Sequence, residues 1–335
     1  MTPTVTVVLP VRNGERLLGE SIRSVLAQDF EDFSLDVYDD GSTDHTADVI
    51  RGFSDSRIRV FHSRTSRGLF ATLNAAFEGS RSELTRIWAH DDRMVPTCLR
   101  RFVDFCEQNP TAGMAYCTFT PIDIDGRRLA EIDPHAAQHT RTPALAGPFV
   151  SALLFYFYGC LPGNISTVLL RRSVWKAVGG FIEGSQQSPD YDMWVRVSSV
   201  APVGFIPDPL VDLREHPLQL SQVGRKDMTT IAEERAVIDA LRQRLAGVVD
   251  RAVLDRHWRQ HRGRQHVHWI VRAIARGRLS AARRGWRSMR DYGDARRQAV
   301  TWLLSANGRF GCPPPDPIVD ELLPRCLALD SRDSV

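Results

Sequence analysis

Two adjacent pairs of carboxylates occupy comparable places in this chain: Asp39 and Asp40 in VYDDGS, and Asp91 and Asp92 in WAHDDR, the second pair preceded by His90. Each pair follows a short apolar run, the pattern of a strand whose carboxyl end delivers the acids. In open α/β sheets ligands collect outside the carboxyl ends of the strands, so parallel neighbouring strands would bring all four carboxylates to one crevice. Gathered there, they repel one another. A divalent cation relieves that repulsion, and oxygen ligands with one imidazole suit Mg²⁺ or Mn²⁺ better than zinc. The plainer alternative is turn chemistry, because Asp and Gly favour turns and DDGS could simply cap a helix at Ser42.

The elements that must carry these residues follow from the apolar pattern. Val5 to Val11 is a continuous apolar run, as expected of a strand buried on both faces. Leu17, Ser21 and Val25 continue it as an amphipathic helix, and Leu35 to Tyr38 forms a second strand ending at Asp39. A helix beginning near Ser42, a strand at 58–61, helices at 68–79 and 94–108, and a strand from Leu84 to Ala89 complete a βαβαβαβα order, which implies a parallel sheet covered by helices. From Ala112 to Asp133 the pattern turns to short strands, with IDIDG at 122–126 as a hairpin tip. Residues 134–148, rich in Ala, His, Thr and Pro, read as a mobile loop beside a site. Helical patterning returns at 172–178 and 190–200, followed by a strand pair near 203–206 and 210–214.

A mostly apolar run of 13 residues, Phe149 to Leu161, lies between Pro148 and Pro162. It is too short for the roughly 20 residues of a spanning helix. It reads as buried core, with shallow membrane contact or an apolar wall beside a lipid-linked substrate as the alternatives.

At 335 residues the chain suggests about two domains. Hydrophobic residues at 43% and charged residues at 25% exclude a disordered or collagen-like chain. The six Cys form no CxxC pair and no metal-ligand spacing, which suits buried thiols in a reducing, cytoplasmic compartment. The opening residues lack a basic segment, and the apolar run behind them is interrupted by Pro10, so a secretory signal is not expected. Of 43 cationic residues only Lys176 and Lys226 are lysines, and between 251 and 297 there are 14 Arg against three acids. This shift marks a boundary near residue 225. Val253, Leu254, Trp258, Val267, Ile270, Val271 and Ile274 would form one buried stripe with the arginines outside. The basic face then serves solvent or anionic lipid headgroups; with no recognition module, nucleic acid is not an expected partner.

Seven segments taken together carry a resemblance. VTVVLPVRNGERLLGESIRSVLAQDF, VYDDGSTDHT, SRGLFATLNAAFEGS, WAHDDRMVPTCL, GNISTVLLRRSVWKAVGGF, SPDYDMWVRV and LREHPLQLS stand in an order and at distances that resemble the family 2 glycosyltransferases, over about residues 3 to 222. The resemblance implies a GT-A fold at 1–224, with a nucleotide-sugar half at 1–120 and an acceptor half at 121–224. An Arg-rich helical region at 225–335 lies outside it.

The resemblance also implies roles. Pro10, Arg12 and Asn13 border the nucleotide base, and Asp39, with Asp40 beside it, holds that base, usually uracil. Arg67 and Asn74, in the RG-x(5)-N segment, line the donor site, and His90 faces the sugar. Asp91, with Asp92 nearby and His216 from the acceptor half, holds Mn²⁺ or Mg²⁺. Asp190 takes the proton of the acceptor hydroxyl in an inverting transfer from a UDP-sugar to a glycan or lipid-linked acceptor. At the start of a helix, the dipole would lower the basicity of Asp190 and allow a plain capping role. Three residues depart from the family pattern: Arg12 replaces a common aromatic, Ala89 the first metal-binding Asp, and Pro189 a Glu. The rivals are a degenerate nucleotide-binding module without turnover and a sugar nucleotidyltransferase, whose Gly-rich phosphate loop is missing here. Two further partners are expectations for the tail: an anionic surface at the inner face of the plasma membrane, and a second copy of the chain.

Overall fold

A computed structural model describes residues 2–129, 136–184, 189–216, 228–290 and 317–332. They group into two compact units: Met1–Pro148, Pro162–Gly184 and Arg196–His216 form the first, and Phe149–Leu161, Ser185–Val195 and Pro217–Val335 the second.

The first unit is built on a nine-stranded sheet. The chain enters as β1 (Val5–Val11), α1 (Leu18–Leu26), β2 (Phe33–Asp39), α2 (Thr46–Arg51), β3 (Ile58–His62), α3 (Leu69–Gly79) and β4 (Leu84–Ile87). It continues through β5 (Arg93–Met94), α4 (Cys98–Gln108), β6 (Met114–Ile122), α5 (Ala136–His139) and β7 (Leu145–Ala146), then β8 (Val168–Arg171), α7 (Arg172–Ala177) and β9 (Val203–Arg214). The strand order is β3-β2-β1-β4-β8-β6-β9-β5, with β7 also on β9. β3, β2, β1 and β4 are parallel. The other half is mixed: β8 runs antiparallel to β4 and β6, while β6 and β9 are parallel. β1 lies between β2 and β4, so the connections leave it in opposite directions and open a crevice at its carboxyl end.

β1 and β2 are buried along their whole length, as their unbroken apolar sequences require. Their side chains join Leu18, Ile22, Val25, Leu99, Phe102 and Val103 from α1 and α4 in one core. The hairpin tip at 122–126 forms as expected: Asp123 N–H donates to Arg127 O at 2.8 Å, Ile122 bridges Arg128, and Gly126 turns the chain at φ +81°.

Several elements differ from the sequence expectation. The helix expected near Ser42 begins at Thr46, because Ser42 N–H is held by Asp39 and Thr43 N–H by Asn13, which keep 42–45 as a turn. The helix expected from 94 begins at Cys98, since Arg93 and Met94 pair with Asp212 and Val211 of β9. The strand pair near 203–214 is one strand whose pairing with β6 shifts register opposite Pro207–Pro209, where two prolines cannot donate ladder hydrogen bonds. Within 134–148, α5 and the edge pairing of β7 replace part of the irregular loop.

The second unit contains α6 (Pro148–Tyr158), most of α8 (Pro189–Ser198), α9 (Thr230–Arg244), α10 (Arg251–Trp258), α11 (Arg264–Ala275), α12 (Leu279–Arg290) and α13 (Pro317–Arg332). One π-helical turn, Arg259–Gly263, joins α10 to α11. Every residue of α6 from Val150 to Tyr158 is buried, so the apolar run is core. Leu254, Trp258, Val267 and Ile270 of the expected stripe are buried, whereas Ile274 lies outside it, 52% exposed. No helix among the described residues is long and apolar enough to cross a membrane.

Candidate active site

The parallel register sets Val11 at the end of β1 beside Asp39 at the end of β2, and β4 runs on the other side of β1 into Ala89–Asp92. Asp39 is buried. Its Oδ1 accepts from Ser42 N–H at 2.9 Å, and its Oδ2 meets Nδ1 of exposed His62 at 3.3 Å. Tyr38 stacks on Phe61 beside it, ring centroids 4.4 Å apart, and burial pushes the Tyr38 phenol up to about 12.

Asp40 is otherwise committed. Its oxygens accept from Ser66 Oγ at 2.7 Å, Arg67 N–H at 2.8 Å and Gly68 N–H at 2.9 Å, which binds the loop before α3 to the end of β2. Burial alone would raise its pKa, but these hydrogen bonds outweigh burial and hold it below the ordinary carboxylate range. Arg67 itself is exposed, as is Arg12.

After β1 the chain turns through Asn13, at φ +53°, whose side-chain oxygen accepts from Thr43 N–H at 2.8 Å. Pro10 is buried within β1. Gly14 follows, and a Cβ there would come within 2.7 Å of the His90 ring, so only glycine lets His90 lie against the β1 turn. Asn74 faces another part of this unit: it donates to Phe181 O at 2.9 Å and accepts from Phe181 N–H at 2.8 Å, closing both ends of its amide on one backbone.

At the end of β4, Asp91 and His216 meet. His216 Nε2 lies 2.9 Å from Asp91 Oδ2, and both side chains are largely buried. Burial pushes Asp91 upward, but the hydrogen bond from His216 and the adjacent imidazoles more than reverse this and keep it below the usual range. Burial lowers the His90 pKa, with Asp91 opposing. Asp92 points into the protein: its Oδ1 accepts from Arg214 N–H at 2.9 Å, and its buried Oδ2 has no hydrogen-bond partner. Burial and then the charge of Asp91 push it well above the ordinary value.

The sequence reading missed what holds this corner. Arg214, almost wholly buried, donates to Asp91 O at 2.8 Å, Asp123 O at 3.0 Å, Ile124 O at 2.8 Å and Glu20 Oε2 at 2.8 Å. One guanidinium therefore ties the β4 loop, the 122–126 hairpin and α1 together, two residues before His216. Arg86 does the same beneath: it donates to Ser166 O and Val168 O, while Ser166 Oγ accepts from Ala89 N–H at 3.0 Å. A sequence signal existed for Arg86, a single arginine inside an apolar strand run, LTRIWA.

Asp190 lies in the second unit, at the start of α8. Its Oδ1 accepts from its neighbour Tyr191 N–H at 2.8 Å, and the Tyr191 hydroxyl donates to Phe155 O of α6 at 2.6 Å. The helix terminus was expected to lower its pKa; burial wins instead and pushes it to about 6.

Residues 6–149, which run from the second residue of β1 past β7 and include both carboxylate pairs, match the family described as Glycosyl transferase family 2. Over these residues the chain is similar to glycosyltransferase family 2. A relative from Rickettsia felis named as an uncharacterized glycosyltransferase is 27% identical over 239 residues, 70% of this chain and 37% of that protein, so the chain spans well under half of that relative's length. Among solved structures, Staphylococcus aureus TarS 1–349 in complex with UDP-GlcNAc is similar with a TM-score of 0.60 at 16% identity, covering 90% of this chain and 89% of that one. The mannosyltransferase PcManGT from Pyrobaculum calidifontis, in complex with GDP-Man and Mn²⁺, gives 0.54 at 17% identity, covering 91% and 87%. At these identities the likeness is one of fold, and it agrees with the GT-A architecture read from the segments above.

The donor set of this site can be tested for a divalent ion. Two donors bound at about 2.1 Å and at right angles on one small ion lie about 3 Å apart, close to the Asp91–His216 separation. A carboxylate oxygen and an imidazole nitrogen are ligands Mn²⁺ accepts. Among the described residues no third His, Cys, Asp or Glu joins them in a cluster.

Proposed function

We propose that this chain is an inverting glycosyltransferase that moves a sugar from a nucleotide-diphosphate donor, a UDP-sugar, to a hydroxyl of a glycan or lipid-linked acceptor. The observation that carries the reading is the Asp91–His216 pair at the carboxyl end of β4, with β1 between it and Asp39 at the end of β2; Asp39 and Asp91 lie within the matched family region. The donors named with the two solved neighbours support a nucleotide sugar here.

In this reading Asp39 takes a polar edge of the base and the Asn13 turn borders it. Asp91 and His216 hold Mn²⁺ or Mg²⁺, which when bound supplies positive charge to the departing diphosphate. Arg214 fixes the Asp91 backbone, so the carboxylate is in place before the donor arrives. Arg67 offers its cation to the diphosphate. Asp190 accepts the proton of the acceptor hydroxyl as that oxygen bonds to the anomeric carbon. The bond from that carbon to the diphosphate oxygen breaks, and the nucleoside diphosphate leaves with the pair.

A base must be ionised to act, and a pKa of about 6 places Asp190 near the working pH, where a general base is most effective. Turnover should therefore fall as pH drops through about 6. The test is sugar transfer by Asp190→Asn beside a thermal-shift panel of UDP, GDP, dTDP and CDP sugars with Mn²⁺, Mg²⁺ or EDTA. The reading expects metal-dependent nucleotide stabilisation kept by the variant and turnover lower by roughly 10²–10⁴-fold. Nucleotide binding without transfer in the parent chain would point instead to a binding module.

A further inference from the structure

Arginine is unevenly spent in the second unit. On α9 and α10 it is matched by acids: Asp239 pairs with Arg235 and Arg242, Asp255 with Arg242 and Arg251, and Glu234 lies beside Arg262 and His266. From Arg256 to Arg290 the sequence contains no acidic residue at all. Within that stretch α11 and α12 bury one side against each other: Val267, Ile270 and Ala273 of α11 meet Ala281, Ala282 and Met289 of α12. A Cβ on Gly285 would come within 3.0 Å of Ile270, so the two helices are closely packed there. The outer side of α12 presents Arg283, Arg284 and Arg287 at helical spacing, all exposed.

The turn between the two helices departs from core patterning. Its seven consecutive residues, Ile274 to Ser280 (IARGRLS), are all exposed, with Gly277 turning the chain at φ +70°. Ile274 and Leu279, 52% and 55% exposed, are among the few large apolar side chains left in water, and they stand with Arg276 and Arg278 between them and Arg272 just before. A solvated basic face has no use for two outward aliphatic side chains. A surface that offers anionic charge above an apolar layer uses both kinds.

We infer that the α11–α12 turn docks this chain on an anionic phospholipid bilayer, with Ile274 and Leu279 entering the interface and Arg272, Arg276, Arg278, Arg283, Arg284 and Arg287 taking the headgroup charge. The inference is independent of the reaction proposed above. Each arginine near such a surface strengthens binding by about fivefold at low salt, and loss of both aliphatic side chains weakens it by roughly 10²-fold on the area they would bury.

The full chain is spun with sucrose-loaded vesicles of phosphatidylcholine alone and with 30% phosphatidylglycerol, at two salt concentrations. Partitioning should require the anionic lipid and fall steeply with salt. Ile274→Ser with Leu279→Ser should weaken it about 10²-fold while leaving Tm unchanged, because both side chains are exposed. Arg276→Glu with Arg278→Glu should abolish it. Equal partitioning onto neutral vesicles, or no partitioning onto either, overturns the inference. So does an unchanged partition of the Ser variant accompanied by loss of a dimer in light scattering, which would make the turn a contact between copies. A fluorescent RNA that competes fully with vesicles at the same salt would assign the basic surface to nucleic acid instead.

Discussion

The two Asp-Asp corners are built alike and used differently. In each, the first carboxylate stands at the crevice and the second turns into the scaffold. Asp40 is satisfied by a hydroxyl and two backbone N–H groups. Asp92 holds one backbone N–H and leaves its other oxygen buried without a partner. The partners of the first carboxylates differ as well: Asp39 meets an exposed imidazole, while Asp91 meets a largely buried one at hydrogen-bond distance. The first corner is thus a local turn closed by its own loop. The second is closed by Arg214, delivered from β9, a strand more than 100 residues further along. What differs is where the closing group comes from, and the corner that depends on a distant residue is the one whose failure would cost most.

That contrast is broken most directly at Arg214. Arg214→Met keeps much of the volume but removes the donor to the carbonyls of Asp91, Asp123 and Ile124, while Glu20, 39% exposed, keeps Arg93 at 3.4 Å. Losing the hydrogen bonds to three partly buried carbonyls costs about 1 kcal/mol each, and urea unfolding should show a loss of about 3 kcal/mol. A loss below about 1 kcal/mol would mean that the corner is held by something other than this guanidinium. Asp91→Asn comes next. It keeps the shape and the Arg214 contact, which is to the main chain, but removes the charge that faces His216. Sugar transfer should fall by about 10²–10³-fold, the scale for losing one preorganised electrostatic group, with unfolding little changed. Transfer near the parent rate would remove Asp91 from the chemistry.

At the first corner the ranking within the pair should invert between stability and binding. Asp40→Ala strands Ser66, Arg67 N–H and Gly68 N–H, at a cost of about 2–3 kcal/mol. Because the folded pKa of Asp40 is depressed, its contribution is present above the unfolded carboxylate value and is lost as pH falls through the folded one. The stability gap between parent and Asp40→Ala should therefore close in acid. Asp39→Ala gives up the hydrogen bond from Ser42 N–H and a contact with the exposed His62, which water replaces, and should cost only about 1 kcal/mol, yet it should lower nucleotide affinity in a titration, where Asp40→Ala, once folded, should not. Equal effects of the two variants on both measurements would mean that the corner has no division of roles.

The parallel half of the fold was legible because β1, β2 and β4 are buried on both faces and so announce themselves as apolar runs, and the acids that end β2 and follow β4 mark the crevice. β5 was illegible at two residues: Arg93 and Met94 are a strand only because β9 passes beside them. β9 itself read as two strands because Pro207 and Pro209 interrupt the pattern, while pairing to β6 carries the chain across the break. The clamping role of Arg214 depends on the places of three carbonyls and Glu20, none of them near it in sequence. The raised pKa of Asp190 had the same cause. A helix terminus is visible in sequence, whereas the burial that overrides it depends on how the chain packs.

The smallest expected effect falls on Asp92, and it separates a metal ligand from a structural acceptor. Asp92→Asn retains an oxygen that can accept from Arg214 N–H, and it replaces the unpartnered oxygen with an amide of nearly the same volume. If Asp92 serves only to receive Arg214, the substitution should change stability by less than about 1 kcal/mol, since the one hydrogen bond survives, and should leave the dependence of transfer on Mn²⁺ concentration where it was. Side by side with Asp91→Asn, this is the sharpest reading of the corner: adjacent carboxylates, the same isosteric change, and a loss confined to the one that faces His216. A rise in the Mn²⁺ concentration needed for half-maximal transfer in Asp92→Asn would place both carboxylates on the ion and reduce the resemblance between the two corners to one of sequence alone.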